Sequence, residues 1–165
     1  ADAVKFQTFK AERVVTANAP KASYQLEVTE QEESQLEMLR HLELSEQAHR
    51  ELWEYCQRRG ITFMSTPFDE DSANFLADLG LTVFKIPSGE ITNLPFLRHV
   101  AQKKRPMIVS TGMSYLHEVE AAVEAAVCSL KSLLGRSTGL YDGGENGRAA
   151  YSVSETVSVA DLSFS

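Results

Sequence analysis

Residues 3–9 alternate along the chain. Val4 and Phe6 are apolar and Lys5 and Gln7 are polar, which predicts a strand with its polar groups on one face. Residues 16–33 are polar and acidic, with a turn signal at Asn18-Ala19-Pro20. Leu36, Met38 and Leu39 then give residues 35–42 a short helical pattern. A better-marked helix follows. Ser45 is its expected N-cap and Glu46 lies in its first turn. Ala48, Leu52 and Cys56 recur at four-residue spacing with Trp53 beside them. Arg58 and Arg59 close the last turn, and Gly60 takes the C′ position. Residues 61–65 predict a strand ended by Thr66-Pro67.

The pattern then repeats. Asp69 or Asp71 can cap a helix carrying Ala73, Phe75, Leu76 and Leu79, closed by Gly80. Residues 82–86 predict a strand ended by Pro87-Ser88-Gly89-Glu90. Asn93 caps a helix with Pro95 in its first turn and Leu97, Val100 and Ala101 inside. Residues 107–109 predict a strand ended by Ser110-Thr111-Gly112. Ser114 is expected to cap a helix with Leu116, Val119 and Val123 at helical spacing. Strand and helix thus alternate four times, and Thr66, Ser88 and Ser110 fall 22 residues apart. Such alternation implies a parallel sheet with right-handed crossovers. An open doubly wound sheet and a (β/α) barrel both fit, and the short constant period favours the barrel. Four units do not close a barrel of eight, so the expected fold is a partial (β/α)8 TIM barrel of about four βα units in residues 1–127. Residues 128–165 are rich in Ser and Gly. They hold a loop at residues 142–147 and a weak strand pattern at 151–159, and form an unassigned tail, disordered or foreign.

Composition narrows the function. The chain has 165 residues, 43% hydrophobic and 24% charged, with a net charge of −7. That is a soluble globular composition, and no apolar run is long enough for a transmembrane helix. The acidic balance argues against nucleic-acid and membrane-surface partners. Two cysteines make neither a disulfide framework nor a zinc site, and a reduced cytoplasmic setting is expected. The opening Ala1-Asp2-Ala3-Val4 has no Met and no basic-then-apolar leader, so it is not a secretory signal and the expectation is a piece of a longer protein.

In parallel α/β folds, ligands bind beyond the carboxyl ends of the strands. The four ends here read Lys5-Phe6-Gln7-Thr8, Ser65-Thr66-Pro67, Pro87-Ser88-Gly89-Glu90 and Ser110-Thr111-Gly112. All four would converge on one rim. Hydroxyls, backbone N–H groups and helix N-termini attract oxyanions, and Lys5 and Lys85 add positive charge. A phosphate or carboxylate is the natural guest. Glu90 suits a sugar hydroxyl or proton handling. One Ser or Thr at a strand end is usually a cap or turn former; four such ends in a row favour the ligand reading. Lys5 faces away from Val4 and Phe6. In a closed barrel that face is the interior, where an unpaired ammonium is costly, so it calls for an anion, from a ligand or from a carboxylate such as Glu90. No Walker motif and no Gly-x-Gly-x-x-Gly is present. His41, His49, His99 and His117 fall in helices without metal spacing, and surface or packing roles are expected for them. Cys56 and Trp53 read as packing and Cys128 as inert.

Five segments in order carry a resemblance. Residues 1–12, residues 33–39, Phe63-Met64-Ser65-Thr66-Pro67-Phe68-Asp69, Phe84-Lys85-Ile86-Pro87-Ser88-Gly89-Glu90 and Val109-Ser110-Thr111-Gly112-Met113 resemble the sialic acid synthases, the N-acetylneuraminate synthase family. The resemblance covers residues 1–127. The stretch 35–44 looks nearest to bacterial members, including those making legionaminic acid. The resemblance implies strands 2–5 of a (β/α)8 barrel that in the family precedes an antifreeze-like domain. It implies condensation of phosphoenolpyruvate with N-acetylmannosamine or a related N-acetylated amino sugar, releasing phosphate. A divalent metal, Mn or Mg, assists, and the family enzyme is a homodimer. By position, Lys5, Thr66, Lys85, Ser88 and Ser110 resemble phosphoenolpyruvate contacts. Gln7 and Glu90 resemble groups near the sugar and are the catalytic candidates. The family's first strand, with its acidic catalytic residue, and its metal-binding histidines have no counterpart here, so the chain is expected to be inactive alone. Two other readings stand beside this one. Another phosphoenolpyruvate-condensing barrel, of the keto-deoxy-octulosonate phosphate type, should show extra basic residues for a second phosphate, and none is evident. The other is a non-catalytic anion-binding fragment.

Overall fold

The computed structural model describes residues 1–16, 19, 34–133 and, as backbone, 157–159. The expected polar stretch at 16–33 and the loop at 142–147 lie almost wholly outside these residues. The chain divides into two units, Ala1–Leu81 and Thr82–Ser165.

The first unit opens with β1 (Ala3–Thr8) and the short helix α1 (Ala11–Val14). Then come α2 (Gln35–Leu42), α3 (Glu46–Arg59), β2 (Thr62–Pro67) and α4 (Glu70–Leu79). β1 and β2 pair in parallel, from Ala3 opposite Thr62 to Thr8 opposite Pro67. β2 runs two residues past the expected end. The tip is closed when Phe68 N–H donates to Thr8 O at 3.2 Å, so Thr66-Pro67 belongs to the ladder rather than to the turn. α3 and α4 both pack against β2.

Local chemistry fixes the helix ends. Ser34 caps α2 in a reciprocal capping box with Glu37. Ser45 Oγ accepts from Ala48 N–H at 3.1 Å, and Asp69, not Asp71, caps α4 by accepting from Ser72 N–H at 2.8 Å. α3 and α4 end alike. Gly60 (φ 66°) and Gly80 (φ 96°) are left-handed. Ile61 N–H reaches Cys56 O, Leu81 N–H reaches Leu76 O, and both glycine N–H groups bond one carbonyl further along. That is the Schellman arrangement, which a side chain at the left-handed position would strain.

The second unit contains β3 (Phe84–Ile86), a 3₁₀ turn (Ser88–Glu90), α5 (Leu94–Ala101), β4 (Met107–Val109), α6 (Leu116–Leu133) and β5 (Val157–Val159). β3, β4 and β5 pair in parallel in that order, with Lys85 opposite Ile108 and Ile108 opposite Ser158. β3 starts two residues later than expected. α5 packs on α6. The buried face of α6 is Ala122, Ala125 and Ala126, whereas Leu116 is 74% exposed. Of the expected Leu116–Val119–Val123 stripe, Val119 and Val123 are half-buried and Leu116 is not. Ser114 does not cap α6; Glu118 reaches back to Tyr115 N–H at 2.7 Å instead.

The two cores are separately legible. Phe63, Ala73, Leu76 and Leu81 are buried in the first unit, and Phe84, Ile86, Leu97, Val100 and Met107 in the second. Exposed ion pairs decorate the first unit: Lys10–Glu43, Arg40–Glu12, and Arg13 with Asp69 and Asp71. Each contributes little to stability.

Candidate functional site

The pleat sorts the tips of β1 and β2 into two faces. Register puts Lys5 opposite Met64 and Gln7 opposite Thr66, so these four share one face. Lys5 and Gln7 are exposed. Thr66 is 2% exposed, and its Oγ1 is buried with no hydrogen-bond partner. The expectation that Lys5 needs an anion applies to the interior of a closed barrel. The Lys5 face of β1 is open to water in this chain, so solvation suffices.

The opposite face meets the helices. Phe6 stacks on Phe63 at 5.2 Å. Nearer the tip the layer turns polar. Thr8, Ser65 and His49 are all buried; Thr8 Oγ1 lies 2.8 Å from His49 Nε2 and 2.7 Å from Ser65 Oγ. His49 Nδ1 lies 2.9 Å from Ser45 O. The sequence alone gives His49 only a surface or packing role. The usable signal was its place four residues after the N-cap Ser45, on the face that also buries Cys56.

The second unit builds a different tip. Phe84, Ile86, Met107 and Val109 are buried on one face, and Lys85 and Ile108 share the other. Lys85 is half-buried. Its Nζ donates to Ile86 O at 2.8 Å and to Ser110 Oγ in a very short contact. Ser88 opens the 3₁₀ turn, and Gly112 lies against it, so that a Cβ there would stand 3.8 Å from Ser88 Oγ. Glu90 accepts from Asn93 Nδ2 at 2.7 Å, while Asn93 Oδ1 caps α5 by accepting from Phe96 N–H. A helix cap therefore orients the Glu90 carboxylate.

The structure thus brings Lys85, Ser88, Ser110 and Glu90 to the strand ends of the second unit. It brings Lys5, Gln7 and Thr66 to one face of the first. An ammonium with serine hydroxyls at parallel strand ends suits an oxyanion. No group of three or more His, Cys, Asp or Glu among the described residues fits a metal ion. No helix among them is long and apolar enough to cross a membrane. A groove of about 520 Å³ runs along α3 between Ala48 and Arg58 and holds none of the predicted residues. Shifted titrations lie on surface pairs instead. A hydrogen bond from Lys10 holds the Glu43 carboxyl below its ordinary value, and one from Arg40 does the same for Glu12.

Comparison with known proteins covers both units. The sequence model of the NeuB family matches residues 1–148, somewhat further than the resemblance over residues 1–127. N,N'-diacetyllegionaminic acid synthase of Legionella pneumophila is 54% identical over 124 residues, 75% of this chain and 35% of that protein. The Campylobacter jejuni enzyme of the same name is 51% identical over 123 residues, 74% of this chain and 37% of that one. This chain therefore spans little more than a third of the length of these curated relatives. The crystal structure of N-acetylneuraminic acid (sialic acid) synthetase from Leptospira borgpetersenii matches with a TM-score of 0.65 at 26% identity, over 78% of this chain and 40% of that one. The architecture is accordingly part of a TIM-barrel-type α/β fold, as the strand–helix period predicts.

Proposed function

The chain belongs to the NeuB family, and from that premise we propose that it supplies part of the substrate rim of a cytoplasmic nonulosonic acid synthase. The reaction joins phosphoenolpyruvate to the aldehyde carbon of an N-acetylated amino sugar and releases inorganic phosphate. The acceptor is of the legionaminate type, in keeping with the 51% and 54% identities to synthases of that name. Lys85, Ser88, Ser110, Lys5 and Thr66 contact phosphoenolpyruvate; Gln7 and Glu90 serve the sugar. The observation that carries the reading is Lys85, anchored at the strand ends by Ile86 O and Ser110 Oγ. Anchoring costs a lysine its side-chain freedom, and it prepares a fixed positive charge for an anion. The orphaned Thr66 hydroxyl adds support in the first unit, because an arriving oxyanion gives it the partner it lacks.

The family reaction uses a divalent metal, Mn or Mg. Among the described residues no group of three or more His, Cys, Asp or Glu fits one.

The test is a hybrid in which the matched part of this chain, 124 residues, replaces its counterpart in the Legionella enzyme. With phosphoenolpyruvate, an N,N'-diacetylated amino sugar and Mn, the hybrid should release phosphate only when both substrates are present. The isolated chain should release none. A folded hybrid that releases no phosphate, or releases it without the sugar, overturns the reading.

A further inference from the structure

The buried polar chain behind the first unit's strand ends has a direction that its geometry dictates. Ser45 O is a carbonyl and can only accept, so the proton between it and His49 sits on Nδ1. In the neutral ring Nε2 then carries no proton and accepts from the Thr8 hydroxyl. Thr8 has one hydrogen and has given it to His49, so its oxygen accepts from Ser65. The relay runs Ser65 to Thr8 to His49 Nε2, and His49 Nδ1–H to Ser45 O. It ties both strand ends to the first turn of α3.

Stability alone does not call for this arrangement. Valine, alanine and phenylalanine at the three positions would fill similar space and leave no polar group unsatisfied. What the relay adds is one permitted rotamer per hydroxyl and hence a fixed strand tip. Thr8 follows Gln7 in β1, and Ser65 precedes Thr66 in β2. Gln7 and Thr66 stand opposite each other on the other face.

We propose that His49 is a positioning residue: through Thr8 and Ser65 it sets the placement of Gln7 and Thr66. The proposal rests on the reading of those two residues as substrate-facing. The edge Phe75 ring, 5.7 Å from the His49 ring, packs it from α4 and holds its plane.

The test separates the two imidazole nitrogens. Glutamine at 49 can still accept where Nε2 accepts, whereas asparagine can only imitate the Nδ1 donor toward Ser45. In the hybrid enzyme, His49→Asn and Thr8→Val should each raise KM for phosphoenolpyruvate and for the sugar about tenfold with kcat nearly unchanged, and the double variant should be no worse than either. His49→Gln should stay within about threefold of the parent. In the unhybridised chain, ¹⁵N NMR should find the Nδ1–H tautomer of His49. Amide exchange at Gln7 and Thr66 should quicken in His49→Asn and Thr8→Val but not in His49→Gln. An Nε2–H tautomer, or equal effects of Asn and Gln, overturns the proposal. If the unsubstituted hybrid lacks turnover, the functional reading fails, and the exchange and tautomer measurements still decide the role of His49.

Discussion

The two units repeat one sequence device and resolve it in opposite ways. In the second, Lys85 pairs in register with Ile108, and two residues further on Ser110 takes its ammonium. In the first, Lys5 pairs with Met64, and the same step lands on Thr66. There the bond is not made: Lys5 is exposed and Thr66 Oγ1 is buried without a partner. Burial explains the split. Half-buried Lys85 needs internal acceptors, because desolvating an unpaired ammonium is costly. Exposed Lys5 has water. Thr66, shut away from water and from Lys5, is left as the unsatisfied member. Equal spacing therefore encodes one satisfied tip and one tip short of a partner.

The largest expected effect is catalytic and asks whether the two lysines act alike. In the hybrid enzyme, Lys85→Ala and Lys5→Ala should each lower kcat/KM by roughly 10²–10³-fold, the scale of losing a charge that meets a developing anion. Steady-state phosphate release measures it. A neutral Lys5→Ala would show that Lys5 meets no anion and leave the device a coincidence of spacing.

Stability should then tell them apart. Lys85→Ala takes the ammonium from Ser110 Oγ, while Ile86 O keeps the Ser110 N–H at 3.1 Å, and should cost about 1 kcal/mol. Lys5→Ala removes an exposed side chain and should stay within about 0.5 kcal/mol. Urea midpoints of the chain at constant m-value report both. Equal losses would mean that Lys5 is held in solution by a contact the open face does not supply.

The hydroxyls should differ in sign. Thr66→Val swaps an unsatisfied buried hydroxyl for a methyl of similar shape and should stabilise by about 1 kcal/mol. That is a rise in Tm of roughly 2–4 °C for a chain of this size. Ser110→Ala takes the acceptor from Lys85 and should destabilise by about 1 kcal/mol. Both variants should weaken phosphoenolpyruvate binding in the hybrid. A stability gain joined to a functional loss is the signature of a group kept for its ligand. A destabilised Thr66→Val would show that the hydroxyl already has a partner.

Sequence reading succeeded where the signal is local. Gly60 and Gly80 mark helix ends because only a left-handed residue lets the next N–H groups reach back to Cys56 and Leu76. Ser45, Asp69 and Asn93 mark helix starts because a short acceptor side chain meets the orphan N–H groups of the first turn. The strand-end hydroxyls were legible for the same reason. It failed where a partner decides. The end of β2 is set by Thr8 and Phe68, not by its own Pro67. The fully buried residues of α6 are Ala122, Ala125 and Ala126, and apolar spacing alone does not set them apart from Leu116. His49 was invisible because its importance lies in Thr8 and Ser65, 41 residues before it and 16 after.

The smallest effect checks that charge pairing away from the strand ends is minor. Lys10 donates to Glu43 at 2.6 Å, and Ala11 N–H also reaches that carboxylate, at 3.1 Å. The hydrogen bond from Lys10 holds the Glu43 carboxyl below its ordinary 4.5, and the one to Glu43 raises the Lys10 ammonium above 10.5. For a carboxyl lowered by folding, the stabilisation is complete above pH 4.5 and disappears as pH falls through the lower folded-state value. For an ammonium raised by folding, it is complete below pH 10.5 and disappears as pH climbs through the higher value. Between those limits the pair contributes a constant amount, about 0.5 kcal/mol given its exposure. Glu43→Gln should therefore lower stability by that much at pH 7 and by progressively less as pH falls below 4.5 through the folded-state value, flattening the acid limb of the urea-midpoint profile. It should leave the Lys5, Lys85 and Thr66 differences untouched, because those turn on burial and on a missing acceptor rather than on a titrating surface carboxylate. If Glu43→Gln also shifted them, the contrast between the two tips would have to be recast as a long-range charge effect.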